Sequence, residues 1–136
     1  MKKLFLFFAL LLFVGMNTNI NAQGEITLIV CEQYEMERGP IGAGSVFTPG
    51  YVTIVALATS PMYFEKVYVQ YDKMNKGGTY DFYKRFPFMF PDGNSIVYFS
   101  RVKTNDMEFN DIGFYTVFLL DRNENVIAST FVQIVN

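Results

Sequence analysis

The sequence predicts an all-β domain of seven antiparallel strands arranged as a β-sandwich. Apolar and polar residues alternate with a period of two along several segments, which is typical of half-buried strands. Gly and Pro interrupt the chain at about the spacing that a sandwich needs. No segment beyond the N-terminal leader shows a helical period of comparable strength. The 136 residues suffice for one such domain.

The first 22 residues have the features of a signal peptide. Lys2 and Lys3 form the charged start, and residues 4–14 form an apolar run that is shorter than the ~20 residues of a membrane span. Ala22 supplies the small residue before the cut. We therefore divide the chain into a signal peptide, residues 1–22, and a sandwich domain, residues 23–136, with a retained anchor as the alternative. We expect a secreted or periplasmic protein without a membrane span after cleavage.

The first two strands are separated by a long connection. Residues 25–31 read Glu-Ile-Thr-Leu-Ile-Val-Cys and predict the first strand. Residues 32–50 are rich in Glu, Gly and Pro and predict a solvated loop. Residues 51–58 are apolar on both faces, as expected of a central strand, and Ser60-Pro61 ends that strand.

The next three strands follow from alternation and turn signals. Residues 65–72 and 80–86 alternate, with Tyr80, Phe82 and Phe86 on one face of the second segment. A polar turn containing Gly77-Gly78 joins them. Residues 87–94 predict a loop, and residues 95–102 predict the fifth strand.

The motif Asp111-Ile-Gly113-Phe-Tyr115-Thr-Val117 opens the sixth strand, which ends at Leu120, and a seventh strand ends at Val135. Its spacing resembles the D-x-G-x-Y corner of immunoglobulin-like and fibronectin-like sandwiches. The resemblance implies that Gly113 and Tyr115 are structural, with the Tyr115 hydroxyl returned to backbone between residues 104 and 111. Val117 stands where that family has a disulfide cysteine, which implies an immunoglobulin-like sandwich without the bridge.

Composition excludes several kinds of site. The chain has no His, the commonest general base and metal ligand, and no basic patch that would suit nucleic acid. Without Lys2 and Lys3, the 11 basic residues fall to nine, against 13 acidic ones. The single Cys31 is expected to be buried in its strand. Asp121-Arg-Asn-Glu-Asn125 opens like a calcium loop, but Val126 and Val132 break the pattern, so it predicts a hairpin turn. We expect no catalytic residue, cofactor or metal.

Two aromatic segments are candidate partner contacts. In immunoglobulin-like topology the loops that carry them lie at one end of the sandwich. The alternative is that these rings fold back and close the end of the core. The candidate residues are Met62, Tyr63, Phe64, Phe88, Met89 and Phe90.

The last hairpin offers a second candidate surface. If Val117 points inward, Phe118 points outward and Phe131 lies near it on the neighbouring strand, where the two form a possible homodimer face. The alternative is that the long connection covers this face.

The sequence therefore favours an exported, non-catalytic immunoglobulin-like module. It would mediate protein–protein interaction or assembly at the cell envelope, with an unknown protein partner or by self-association. Two other functions stay open. A carbohydrate-binding module would present exposed Tyr or Trp faces beside polar groups, whereas these loops carry mainly Phe and Met. A secreted enzyme inhibitor would present a loop to a hydrolase.

Overall fold

The computed structural model describes residues 25–100 and 107–136, so the predicted signal peptide lies outside the described residues. Within those two ranges the chain is all-β and contains no helix. The strands are β1 Ile26–Cys31, β2 Gln33–Glu35, β3 Gly39–Ile41, β4 Val46–Phe47, β5 Gly50–Tyr51, β6 Thr53–Met62, β7 Lys66–Met74, β8 Tyr80–Met89, β9 Asn94–Phe99, β10 Glu108–Phe109, β11 Gly113–Asp121 and β12 Val126–Ile134. The segments predicted as strands overlap β1, β6, β7, β8, β9, β11 and β12, and the other five strands are additional. Strand β6 continues through Ser60-Pro61, so the prediction that the strand ends there is wrong. Residues 101 and 102 of the predicted fifth strand lie outside the described residues.

Most strands belong to two sheets. One has three strands in the order β1-β6-β9, and the other has five in the order β4-β12-β11-β7-β8. Neighbours are antiparallel except for the short β4, which pairs parallel to β12. Two small additions are the hairpin β2–β3 and the pair β5–β10.

The inner faces of both sheets contribute to one hydrophobic core, an arrangement compatible with a β-sandwich. Ile54 and Ala56 of β6 belong to it from the three-stranded sheet, and Val69 and Val117 from the five-stranded sheet. Tyr71 fills the centre of this core. Its ring stacks on Phe109 at 4.3 Å and meets Phe86 edge to face at 5.4 Å between ring centroids.

Residues 32–50 are largely exposed, as the sequence predicts, but they contain the short strands β2, β3 and β4 and are not one continuous loop. The hairpin β2–β3 packs on the outer face of the three-stranded sheet, where Tyr34 stacks on Tyr98 at 4.9 Å between ring centroids. The hairpin packs there because the outward-pointing residues of this sheet are themselves apolar, and Val55 is buried on that side.

Cys31 is also buried, as expected, and its thiol donates to the Thr53 carbonyl at 3.5 Å. Burial raises the pKa of this thiol.

Strand β8 is longer than predicted and changes face. It continues through Pro87 to Met89, because β8 is an edge strand where a missing N–H is tolerated. A β-bulge interrupts the β7–β8 register, which pairs Lys84 with Tyr71 and Phe82 with Asp72. The extra residue places Phe82 on the outer face and Phe86 in the core, so the prediction that both share a face is wrong.

The corner before β11 forms as its motif indicates. Tyr115 is fully buried, and its hydroxyl donates to the Asp111 carbonyl at 2.7 Å, so the predicted backbone hydrogen bond is confirmed. Gly113 has a φ of 148°, which side chains rarely adopt. A Cβ at this position would also lie 3.2 Å from Lys73 Cε. The corner fixes which residues of β11 point inward.

Candidate interaction surface on the five-stranded sheet

The outer face of the five-stranded sheet follows from alternation along its strands. Tyr115 and Val117 point into the core, so Phe114, Thr116 and Phe118 point outward. The register places Thr116 between Phe131 of β12 and Asp72 of β7, and Asp72 lies opposite Phe82 of β8. This row crosses four strands and has a phenylalanine at each end.

Five apolar side chains at one end of this face are exposed. Phe131 is 67 % exposed, Phe82 62 % and Phe114 50 %, far more than core aromatics. Val46 and Tyr80 are exposed beside them. We call these residues the aromatic patch: Val46, Tyr80, Phe82, Phe114 and Phe131.

A groove with a volume of about 240 Å³ runs through the patch. Its walls are mainly apolar, and Gln133 supplies a polar side chain. The residues around it are Ser45, Val46, Tyr80, Phe114, Tyr115, Phe131, Val132 and Gln133. Phe82 is not among them and stands beside the groove, two residues along β8 from Tyr80.

The other end of the outer face is covered by polar side chains. Arg85 donates to Gln70 Oε1 at 2.8 and 2.6 Å and pairs with Glu124 of the β11–β12 turn. Its guanidinium lies 5.3 Å from the centroid of the Tyr68 ring. Arg85 is on β8 and Glu124 is in the β11–β12 turn, so their contact passes over β7 and β11, which lie between them in the sheet. Leu120 of β11 is buried. Val126 and Met89 are exposed at this end, but the exposed phenylalanines of this face all belong to the aromatic patch.

The predicted dimer pair lies on this face. Phe118 is opposite Ser129 and Phe131 is opposite Thr116, so the two rings are diagonal neighbours on adjacent strands. Phe131 is exposed, whereas Phe118 is half-buried towards the polar end. The long connection, predicted as a possible cover, packs on the other sheet through β2–β3.

The candidate contacts at residues 62–64 and 88–90 do come together, but mostly inside the protein. Phe90 packs edge to face on Phe64 at 5.4 Å, and Phe88 lies 5.0 Å from Phe99, both between ring centroids. Met62 and Phe90 are buried and Phe88 is packed against the core. These residues close the end of the core, so the prediction that Met62, Phe88 and Phe90 form an exposed contact loop is corrected. Tyr63 and Met89 remain exposed.

An open cleft lies at this same end of the molecule. It encloses about 550 Å³ and has an exposed aromatic ring, Tyr63, among charged groups. Arg122 and Glu65 pair at 2.5 Å within it. The lining residues are Tyr63, Phe64, Glu65, Lys66, Asp92, Asp121 and Arg122.

The turn that resembles the opening of a calcium loop is a hairpin turn between β11 and β12. The Asp121 carboxylate accepts the N–H groups of Asn123 and Asn125, each at 2.9 Å. Its oxygens thus serve the turn itself. Across residues 25–100 and 107–136, no three His, Cys, Asp or Glu side chains are grouped closely enough to hold a metal ion.

The aromatic patch combines residues that sequence reasoning had separated. Phe82 was assigned to the face of Phe86, and only the bulge in β8 turns it outward. Val46 reaches the patch through the parallel pairing of β4 with β12. The sequence does not predict this pairing, because β4 has only two residues and shows no alternation. The sole sequence signal was the pair Lys84-Arg85, two consecutive charged residues inside an otherwise alternating strand.

In the part of the chain that the structure describes, no helix is long and apolar enough to cross a membrane. Comparisons of this chain with models of protein families, with curated proteins and with solved structures found no match.

Proposed function

We propose that this chain is an exported, non-catalytic immunoglobulin-like module that binds protein through the aromatic patch. The fold part of the proposal is supported by the corner hydrogen bond from Tyr115 and by strand order. A three-stranded sheet faces a five-stranded sheet, and the motif strand β11 lies between β12 and β7, as the sixth strand does in such sandwiches.

Export is supported by the leader. The charged start, the short apolar run and Ala22 occur in the order that a signal peptidase requires, which indicates a secreted or periplasmic protein. N-terminal sequencing of the exported protein should find a chain that begins at or near Gln23. A chain that still begins at Met1 would contradict the proposed location.

The observation that carries the binding proposal is the exposure of three phenylalanines on one face. Aromatic side chains are enriched in the fully buried centre of protein interfaces and dominate binding energies there. Phe82, Phe114 and Phe131 lie on strands, so little conformational entropy is lost when a partner fixes them. A rigid, mainly apolar surface carried by strands favours a protein partner.

Site-specific photo-crosslinking tests this proposal. A benzoylphenylalanine at position 131, in cells that export the protein, should give a covalent protein adduct. The same probe at Ile96, an exposed apolar residue on the outer face of the other sheet, is the matched control. No adduct from position 131, or equal adducts from both positions, would contradict the proposal.

A second candidate function, carbohydrate binding, is favoured by the end cleft. Sugars stack on aromatic faces and hydrogen-bond to carboxylates and guanidinium groups, and Tyr63, Asp92 and Arg122 provide these side by side. Calorimetric titration with cello-, xylo-, manno- and chito-oligosaccharides tests it. Heat that Tyr63→Ala abolishes supports a sugar site, and no heat from any of the four excludes this candidate.

A further inference from the structure

The charges on the outer face of the five-stranded sheet cancel. The alternation and the register place Lys66, Asp72 and Arg85 on this face, and Glu124 reaches it by pairing with Arg85. Two positive and two negative groups give a neutral face on a chain whose net charge is −2. A surface that meets an identical surface brings like charges together, so neutrality removes the usual repulsion.

The size of the aromatic patch fits an interface of standard size. Taking roughly 200 Å² for one whole phenylalanine, the exposed parts of Phe82, Phe114 and Phe131 correspond to about 360 Å², and Val46 and Tyr80 bring the patch to about 520 Å². A standard interface buries about 800 Å² per partner, of which about 57 % is apolar. The patch therefore supplies the apolar area that one side of such an interface needs.

The patch also has an exposed ring and a groove on the same face. Phe82 lies two residues along β8 from the groove residue Tyr80, and its ring centroid is 6.0 Å from the Arg85 guanidinium. The groove volume of about 240 Å³ exceeds the ~150 Å³ of an apolar cavity that takes up benzene. In a two-fold dimer each copy offers both features, so a ring of one copy meets the groove of the other, and the reverse contact forms at the same time.

We propose that the partner of the aromatic patch is a second copy of this chain, related by a two-fold axis, with Phe82 of each copy seated in the groove of the other. This proposal rests on the proposed function, because it names the protein that the patch binds. Phe114 and Phe131 form the walls against which the incoming ring packs, and the Arg85–Glu124 pair lies at the rim.

Analytical ultracentrifugation of the mature protein tests the proposal. The unaltered chain should sediment as a dimer, and Phe82→Ser and Phe131→Ser should each weaken dimerisation about 30-fold or more, as expected for central aromatic contacts. Ile96→Ser, on the other sheet, is the matched control and should leave the dimer intact. Far-ultraviolet circular dichroism should be unchanged for all three, since each side chain is exposed.

Cysteine pairing tests the arrangement itself. A mixture of Phe82→Cys and Gln133→Cys should form a disulfide between the two variants faster than either variant pairs with itself, because position 82 of one copy meets the groove lined by Gln133 in the other. A mixture of Phe82→Cys and Ile96→Cys should not. Preferred pairing of Phe82→Cys with Ile96→Cys would overturn the two-fold arrangement.

A chain that sediments as a monomer at about 1 mM overturns the second copy as partner. If the probe at position 131 then gives an adduct with a different protein, the proposed function stands and only the identity of the partner changes. If it gives no adduct either, both fail.

Discussion

The outer faces of the two sheets differ in how far other residues of the chain cover them. Both faces carry apolar side chains, yet the hairpin β2–β3 packs on the three-stranded sheet, where Val55 and Cys31 are buried. On the five-stranded sheet a polar network covers one end, and Phe82, Phe114 and Phe131 remain exposed. The chain can cover an apolar face with its own residues, and within the described ranges it does so on one sheet.

The difference is one of degree, which provides useful controls. Beyond the hairpin, Leu57 and Ile96 of the three-stranded sheet are partly exposed. They are aliphatic and lie apart from the aromatic patch, on the opposite sheet. A substitution at Ile96 therefore tests whether any exposed apolar residue behaves like Phe131.

The largest expected effect comes from placing a charge on each face. Val55→Asp would bury an unpaired carboxylate beneath the hairpin and should lower the free energy of unfolding by about 3–5 kcal/mol. Phe131→Asp places the same charge in solvent and should change monomer stability by about 0.5 kcal/mol or less. Urea unfolding measures both at low protein concentration. Equal losses would mean that the two faces are covered alike.

The next effect separates the closed end of the core from the open patch. Phe90→Ala should cost about 3 kcal/mol or more, because Phe90 is buried against Phe64 and Phe99. Phe82→Ala is the matched truncation of an exposed ring and should be nearly neutral in the monomer. Thermal and urea melts of the two variants decide this. A near-neutral Phe90→Ala would mean that Phe90 contributes little to the core, and would support residues 88–90 as partner contacts.

Much of this difference between the two sheets cannot be predicted from the sequence, for physical reasons. The alternation located segments of seven of the twelve strands in the described residues, and the Asp111–Tyr115 motif located the corner, because both are local patterns. The side on which a strand presents its residues depends on register, and a single bulge in β8 reversed it for Phe82. Whether a face is covered depends on the path of a distant segment, and no local pattern predicts where β2–β3 packs.

A smaller effect concerns the corner that turns Phe114 outward. Burial raises the pKa of the Tyr115 hydroxyl above its ordinary value of 10.0, and the nearby Tyr83 acts in the same direction. Because the pKa is higher in the folded state, the stabilisation is fully present below pH 10 and decreases as the pH rises above it. The expected slope is about 1.4 kcal/mol per pH unit for this group.

Stability against urea between about pH 9 and pH 11 measures that slope. Tyr115→Phe removes the ionisable group and should flatten the profile, although Tyr83, whose pKa burial also raises, retains part of it. A profile that is as steep in the variant as in the unaltered protein would assign the loss to other groups.

The smallest effect is the hydrogen bond of the corner. At neutral pH, Tyr115→Phe removes the bond to the Asp111 carbonyl and should cost about 1 kcal/mol. It should leave the patch facing outward, since Gly113 and the core contacts of the ring are kept. Urea unfolding measures the change in the free energy of unfolding, and a gain in stability would show that this hydrogen bond does not stabilise the fold.

The most direct test of the central claim, that the aromatic patch is the surface by which this chain meets a second copy, is a dilution series followed by backbone amide resonances. Dilution from about 1 mM to about 10 μM should shift amide signals of β4, β8, β11 and β12 around Phe82, Phe114 and Phe131. Signals of β1, β6 and β9 should stay in place. Shifts confined to the three-stranded sheet, or no shifts in a chain that sediments as a monomer at about 1 mM, would contradict the claim.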